Sequence, residues 1–206
     1  MLIDDYIAYQ IKYEKKYGAR TIILMQVGSF FEAYGIDNEI ERINVDNLYY
    51  ICDLMNIQIS RKNKNNVRTS RSNPLMAGFP TLAIDKFIQI LMNNKFTVVL
   101  IEQVTEPPEP ERKITNIFSP GTQINFCPSE ETSNLVSIYI ETVKDLKNYR
   151  DIICVGLSVI DLPTGKSTVF ETFSEKDDQL KAYDEIYRFI QSHNPREIIF
   201  NIKSCP

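Results

Sequence analysis

Thr21-Ile22-Ile23-Leu24-Met25-Gln26-Val27 runs into Gly28-Ser29, and Phe30-Phe31-Glu32-Ala33-Tyr34 follows at once. The first seven residues are rich in β-branched and large apolar side chains, and read as a buried strand. Glycine and serine break it, and a second apolar piece begins directly after the break. Where that piece is extended, Phe30 and Glu32 point to one side, because strand side chains alternate with period two. The same spacing also suits two core aromatics followed by a solvated acid, which is the commoner arrangement.

Working outward, residues 5–17 read as a helix with Tyr6, Ile7, Ile11 and Tyr13 to one side, closed by Lys15, Lys16 and then Gly18. Residues 39–55 read as a helix, 57–59 as a short strand, 60–74 as an exposed polar loop, and Met76-Ala77-Gly78-Phe79-Pro80 as a turn. Apolar positions 84, 87, 88 and 91 give a helix over 82–92, ended by Asn93-Asn94. Residues 96–101 form a central strand; Pro107, Pro108 and Pro110 mark an exposed turn; a strand over 114–118 closes at Pro120-Gly121. These elements make a first unit, 1–126, and a polar linker, 127–133, leads to a second unit, 134–206. The second unit reads as an antiparallel meander (135–140, 152–160, 168–170) turning at Pro163-Thr164-Gly165. A helix over 179–192 follows, with Leu180, Tyr183, Ile186, Tyr187 and Ile190 on one face, and then a strand over 197–202. Three strands, a helix and a strand suggest part of an RNase H-like layer, without a closing helix, as in a fragment of something longer. The expected fold class is therefore α/β (α+β): a mixed-sheet unit followed by a partial RNase H-like one.

The chain's 206 residues suffice for two modest domains, each with a core. Its longest apolar run, 96–101, is too short to span a bilayer. Met1-Leu2-Ile3-Asp4-Asp5 carries two acids where a signal peptide needs bases and a transit peptide avoids acids. Cysteines at 52, 127, 154 and 205 contain no CxxC, which argues against zinc or a disulfide framework and for a reducing, intracellular home. The chain is therefore not expected to be secreted. One histidine, His193, argues against metal clusters and histidine-dependent nucleophilic catalysis. Net charge −4 argues mildly against nucleic acid, but DNA responds to fields within a Debye length of about 8–10 Å. Locally, residues 60–73 hold Arg61, Lys62, Lys64, Arg68 and Arg71 with no acid, among Asn, Ser and Thr side chains suited to phosphate oxygens. A solvated basic loop is the competing reading.

An aromatic beside a carboxylate, near a basic loop, has a specific chemistry open to it. An apolar ring can enter a base step from the minor groove and kink the duplex, at a cost of a few kcal/mol per unstacked step. A mispaired site stacks less well, so the cost there is lower, which is readout through deformability. The carboxylate repels phosphates, yet it can accept a hydrogen bond from a ring N–H or carry a proton itself, and it penalises close approach to normal duplex.

Several motifs, in order, resemble the MutS family of DNA mismatch-repair proteins. Gly28-Ser29-Phe30-Phe31-Glu32 is similar to the family's Gly-Asp-Phe-Tyr-Glu, and Met76-Ala77-Gly78-Phe79-Pro80 to its Met-Ala-Gly-Val-Pro. A strand ending Glu102-Gln103, then Arg112-Lys113 and Ser119-Pro120-Gly121-Thr122, are similar to its Glu-Gln, Arg-Lys and Thr-Pro-Gly-Thr. Asn134-Leu135, Asp161-Leu162-Pro163-Thr164-Gly165 and Asn194-Pro195-Arg196-Glu197 resemble motifs of its connector domain. The resemblance implies a MutS domain I-like mismatch-recognition unit with Phe30 as wedge and Glu32 as base-probing carboxylate, followed by a truncated connector. Ser29 stands for the usual Asp and Phe31 for the usual Tyr; neither is a base-probing position. The wording around Gly28 resembles a divergent branch known from giant viruses and octocoral mitochondria.

The resemblance also implies double-stranded DNA with mispairs or small loops as ligand and a dimer that clamps and kinks it, one subunit inserting its aromatic in bacterial forms. It implies a MutL-like partner on the connector, and ATP with Mg bound by a domain beyond residue 206, so that this chain holds no cofactor and does not hydrolyse ATP. Thr164-Gly165-Lys166-Ser167 resembles the end of a phosphate-binding loop, but Ile160 stands where the first glycine belongs. Glu106, Glu109 and Glu111 lie among prolines in a solvated turn. A protein–protein interaction module and an RNase H-like nuclease remain as alternatives; the nuclease would need a carboxylate cluster for two metals, and only Asp161 offers itself.

Overall fold

Helix α1 (Leu2–Tyr17) ends as its sequence dictates: Gly18 takes φ +97° and returns its N–H to Glu14 O at 2.8 Å. This is a computed structural model, which describes residues 2–66, 68–106, 110–121, 133–145 and 150–203. Its chain divides into two compact units, Met1–Pro120 and Gly121–Pro206.

In the first unit α1 leads to β1 (Thr21–Val27), β2 (Phe30–Asp37), β3 (Arg42–Ile43), α2 (Val45–Met55), β4 (Ser60–Arg61) and β5 (Leu75–Pro80). A 3-10 turn (Thr81–Ala83) precedes α3 (Ile84–Asn93), β6 (Thr97–Gln103) and β7 (Arg112–Phe118). The strands form one mixed sheet in the order β4-β5-β2-β1-β6-β7, with β3 beside β2. Only β1 and β6 run parallel. Both are buried on each face, as their continuous apolar runs require. One face packs Phe31, Ala33, Ala77 and Phe79 against α2 and α3 (Leu48, Ile51, Phe87, Leu91). The other packs Ile23, Met25, Tyr34, Val99 and Ile101 against Tyr6, Ile7 and Tyr13 of α1.

Four expectations fail here, each for a physical reason. The helix expected over 39–55 begins only at Val45, because Arg42 and Ile43 pair with Asp37 and Ile36 of β2 as a strand. The Met76–Pro80 segment is a strand, not a turn: its register beside β2 runs from Leu75 opposite Gly35 to Pro80 opposite Phe30. Proline is tolerated because it stands at the strand's last position. The short strand expected over 57–59 lies instead at Ser60–Arg61, where β5 offers backbone partners. On α1 the core position is Gln10, fully buried, while Ile11 is exposed. Gln10 wins because the β1–β2 ladder spans only Met25 to Val27. Beyond it, Gln10 Oε1 accepts from Ile23 N at 3.1 Å and Nε2 donates to Thr21 O at 2.8 Å, satisfying groups that burial would otherwise leave unpaired.

The second unit is the expected meander: β8 (Asn134–Asp145), β9 (Arg150–Asp161) and β10 (Ser167–Phe173), then α4 (Lys181–His193) and β11 (Glu197–Lys203), which runs parallel to β8 at the sheet's edge. Val136, Ile138, Val155, Leu157 and Val159 pack against Ala182, Ile186 and Phe189 of α4. The helical face thus differs from that expected: Ile186 and Ile190 face inward, but Leu180, Tyr183 and Tyr187 are exposed. Small Ala182, not a tyrosine, meets the sheet. Thr164-Gly165-Lys166-Ser167 falls at the strand-to-strand turn, with Gly165 at φ +70° and its N–H on Asp161 O at 2.7 Å. Asp161 is spent on this turn, its carboxylate accepting from Thr164 Oγ1 and Ser133 N. Cys52 and Cys154 are free thiols; Cys127, Cys205, the expected linker up to residue 132, Pro107, Pro108 and Glu109 lie outside the described residues.

Candidate nucleic-acid interface

The β1–β2 connection is a two-residue hairpin. Gly28 sits at φ +60°, the conformation a hairpin asks of a glycine in first position, and Val27 pairs with Phe30 across it. The pairing fixes which way each side chain beyond the turn points. Phe31 (3% exposed) enters the core between Phe79 and the α2–α3 layer, its ring centroid 6.2 Å from that of Phe79. Phe30, one residue earlier, is 47% exposed on the opposite, α1-side face. Glu32 and Tyr34 follow it on that face at two-residue steps. The expected same-side placement of Phe30 and Glu32 is therefore present in the backbone, with the aromatic at the hairpin's tip and the carboxylate half-buried behind it.

The second motif lies directly alongside. Phe30 is opposite Pro80 and Glu32 opposite Gly78. A Cβ on Gly78 would stand 3.0 Å from Phe31 O and 3.1 Å from Glu32 Cγ. Glycine at 78 thus makes the room that Glu32 occupies. Met76, two residues before, belongs to the α1-side core.

Sequence reasoning missed a third set of residues, which brace the hairpin from the β6–β7 side. Gln26 donates from Nε2 to Gly28 O at 3.1 Å, and its Oε1 accepts from Gln103 N at 3.0 Å. Arg112 Nε donates to Gln26 O at 2.9 Å. Gln103, in the amide orientation its neighbours satisfy, accepts from Gly28 N at 3.3 Å and from Arg112 Nη2 at 2.9 Å. The Glu-Gln and Arg-Lys motifs, 77 and 86 residues from Gln26, therefore converge on the turn that carries Phe30. Their match to family motifs was the signal available; their contact was not. Tyr34 was also missed: its hydroxyl donates to the Glu32 carboxylate.

The basic loop is an organised structure among its described residues. Asn73, almost fully buried, accepts from Asn63 N at 2.7 Å and donates to Asn66 O and Arg68 O at 3.2 and 3.1 Å. Thr69, also buried, bridges to Asp37 through its hydroxyl. The cations differ in what they are free to do. Lys62, Lys64 and Arg68 are exposed. Arg61 stands in β4 with Nε buried and without a hydrogen-bond partner among the described residues, beside a hollow of about 360 Å³ that Tyr49, Ser60 and Lys64 also line. Arg71 is engaged, at 2.9 Å from Glu41 and 3.0 Å from Asp4. The pairing pushes the guanidinium further above its ordinary range and holds the Glu41 carboxyl below its own.

Gly121, which ends the Ser-Pro-Gly motif, and the Asn-Pro-Arg-Glu motif lie in the second unit and are tied into its backbone. Gly121 N donates to Glu197 Oε2 at 2.8 Å, and a Cβ on Gly121 would stand 2.5 Å from that oxygen. Asn134 Nδ2 donates to His193 O at 2.6 Å, and Arg196 N to Asn134 O at 2.9 Å. Pro120 completes the turn before Gly121; Thr122 lies outside the described residues.

The first unit is thus a mixed α/β domain whose braced hairpin carries an exposed aromatic with a half-buried carboxylate behind it. The family model for MutS domain I matches residues 8–126. The chain is 31% identical over 195 residues to a mutS homolog of Acanthamoeba polyphaga mimivirus, covering 94% of this chain and 17% of that protein. It is 29% identical over 206 residues to the DNA mismatch repair protein MutS of Caldanaerobacter subterraneus subsp. tengcongensis, covering 97% and 20%. With MutS of Methanosarcina acetivorans the identity is 29% over 169 residues, covering 78% and 17%. This chain belongs to the MutS family, and it spans about a fifth of the length of these relatives.

Proposed function

We propose that this chain reads DNA for mispaired or unpaired bases, with Phe30 as the wedge that enters a weakened base step and Glu32 as the group that tests the exposed base edge. The observation that carries this reading is the split between adjacent aromatics: Phe31 is buried, while Phe30 stands exposed on the face of Glu32. Phe30 belongs to neither core cluster of its unit, and the bonds among Gln26, Gln103 and Arg112 brace the turn that carries it, which supports a role in contact rather than in packing. Insertion costs a few kcal/mol of stacking in matched DNA and less at a mispair, so the same ring binds the two differently. Arg61, Lys62, Lys64 and Arg68 supply phosphate contacts, which position without reading sequence.

In this reading the second unit is the start of a connector to an ATPase domain elsewhere in the intact protein, where ATP and Mg would bind. The intact protein acts as a dimer around a mispaired duplex and meets a MutL-like partner on the connector. The relatives are named DNA mismatch repair proteins, which supports the substrate class.

The test is fluorescence anisotropy of the intact protein with a G·T or single unpaired T duplex and its matched control, at two salt concentrations. Wild type prefers the mispair. Phe30→Ala loses the preference and keeps weak, salt-sensitive duplex binding. A preference that survives Phe30→Ala would remove Phe30 from the site. Equal binding of both duplexes by wild type would leave a MutS-family scaffold put to another use.

A further inference from the structure

Glu32 does not stand alone on its strand. Tyr34, two residues further along β2 on the same face, donates its hydroxyl to the Glu32 carboxylate. The phenol is itself held firmly. Its ring meets the fully buried Tyr6 edge-on, with centroids 5.0 Å apart and planes at 81°. Its backbone oxygen accepts from Asn44 Nδ2 at 2.8 Å. Burial first, and then the adjoining Glu32 carboxylate, push the phenol above its ordinary range, so at neutral pH it keeps the proton it donates. From the other side, Gly78 leaves a space for the Glu32 side chain that any Cβ would narrow.

A glutamate at a strand surface samples many rotamers, and fixing one on binding costs side-chain entropy. Here the strand fixes it beforehand. We propose that Tyr34 is a positioning residue for base recognition: its hydroxyl holds one oxygen of Glu32, leaving the other to accept from a mispaired base that offers a ring N–H beside Phe30. This rests on the reading of Glu32 as the base-testing group. The arrangement favours bases with a ring N–H donor, thymine and guanine, over those whose exposed edge presents ring acceptors alone.

Tyr34→Phe removes only the hydroxyl and keeps the ring against Tyr6. Two measurements on the intact protein separate this proposal from the reading beneath it. In the first, 3-fluorotyrosine is placed at position 34 and its fluorine resonance recorded with and without Glu32→Ala, in the absence of DNA. The resonance moves when the carboxylate is removed; an unmoved resonance overturns the contact and the proposal with it. In the second, the ratio of mispaired to matched duplex affinity is measured for wild type, Tyr34→Phe, Glu32→Ala and the double variant. The loss of one hydrogen bond predicts that Tyr34→Phe lowers the ratio by roughly two- to tenfold. Matched-duplex affinity and thermal midpoint stay unchanged, and there is no further loss once Glu32 is alanine. A ratio unchanged by Tyr34→Phe but lowered by Glu32→Ala overturns the positioning role and leaves Glu32 in place. Additive losses in the double variant overturn it as well. A ratio unchanged by Glu32→Ala overturns the base-testing reading, and Tyr34's role with it.

Discussion

The two faces of the first unit's sheet use neighbouring residues for opposite ends. On the α2–α3 face, Phe31, Phe79 and Phe87 interlock, with the Phe79 and Phe87 centroids 4.4 Å apart, and the strands are covered along their length. On the α1 face the helix covers the middle, through Tyr6, Ile7 and Tyr13, and the hairpin tip with Phe30 remains exposed. Polar groups also collect there: Gln10, Glu32, Tyr34 and Asn44 are tied by hydrogen bonds to each other or to the backbone. One face maximises apolar contact; the other gives up some of it to hold a few side chains in fixed positions. A one-residue slip in β2 would exchange the two roles, so the register set by the Gly28 turn decides which of the two phenylalanines is exposed.

This contrast is sharpest at the adjacent phenylalanines. Phe31→Ala should destabilise the unit by about 3–5 kcal/mol, the usual cost of emptying a buried aromatic site, read as a lower denaturant midpoint. Phe30→Ala should stay within about 0.5 kcal/mol of wild type. Equal losses at both positions would mean that the two faces are packed alike and that Phe30 is a core residue. Gly78→Ala comes next. The added methyl meets Phe31 O and Glu32 Cγ, and about 1–3 kcal/mol is expected for such overpacking. It should also lower mispair preference, because Glu32 is the group able to shift. A stable Gly78→Ala protein with full preference would break the link between the two motifs. Arg112→Met removes the donor to Gln26 O and Gln103. It should lower mispair preference more than it lowers the thermal midpoint, since it loosens the hairpin and leaves the cores untouched.

How much of this was legible beforehand follows from the range of each interaction. Strand β1, the Gly28 break and the helix over 84–93 are local patterns, and one-dimensional periodicity reveals them. The shared side of Phe30 and Glu32 follows from period two alone. Met76–Pro80 read as a turn because Gly78 and Pro80 are turn formers; as a strand they answer Glu32 and Phe30 across a ladder, a constraint from residues more than forty positions away. Gln10 escaped notice because its burial depends on where the β1–β2 ladder stops. Likewise Gln26, Gln103 and Arg112 are ordinary polar residues in sequence and become a brace only when β6 and β7 are laid beside β1. The family motifs named two of the three, without saying what they do.

The smallest expected effect lies in the loop, where five cations looked equivalent in sequence and are not so in the fold. Lys62 and Lys64 are exposed and free to meet phosphate, whereas Arg71 is bound by Glu41 and Asp4. Each phosphate contact contributes close to one unit to the slope of log affinity against log salt. Lys62→Ala or Lys64→Ala should therefore reduce that slope by about one and weaken matched and mispaired duplexes alike. Arg71→Ala should leave the slope almost unchanged, because its charge already answers two carboxylates of the same unit. Anisotropy across a salt series with matched duplex measures all three. If Arg71→Ala lowered the slope as far as Lys64→Ala, the ion pairs would open on DNA. The loop's five cations would then act as one patch, and the division between the free and the engaged would be a property of the unbound protein alone.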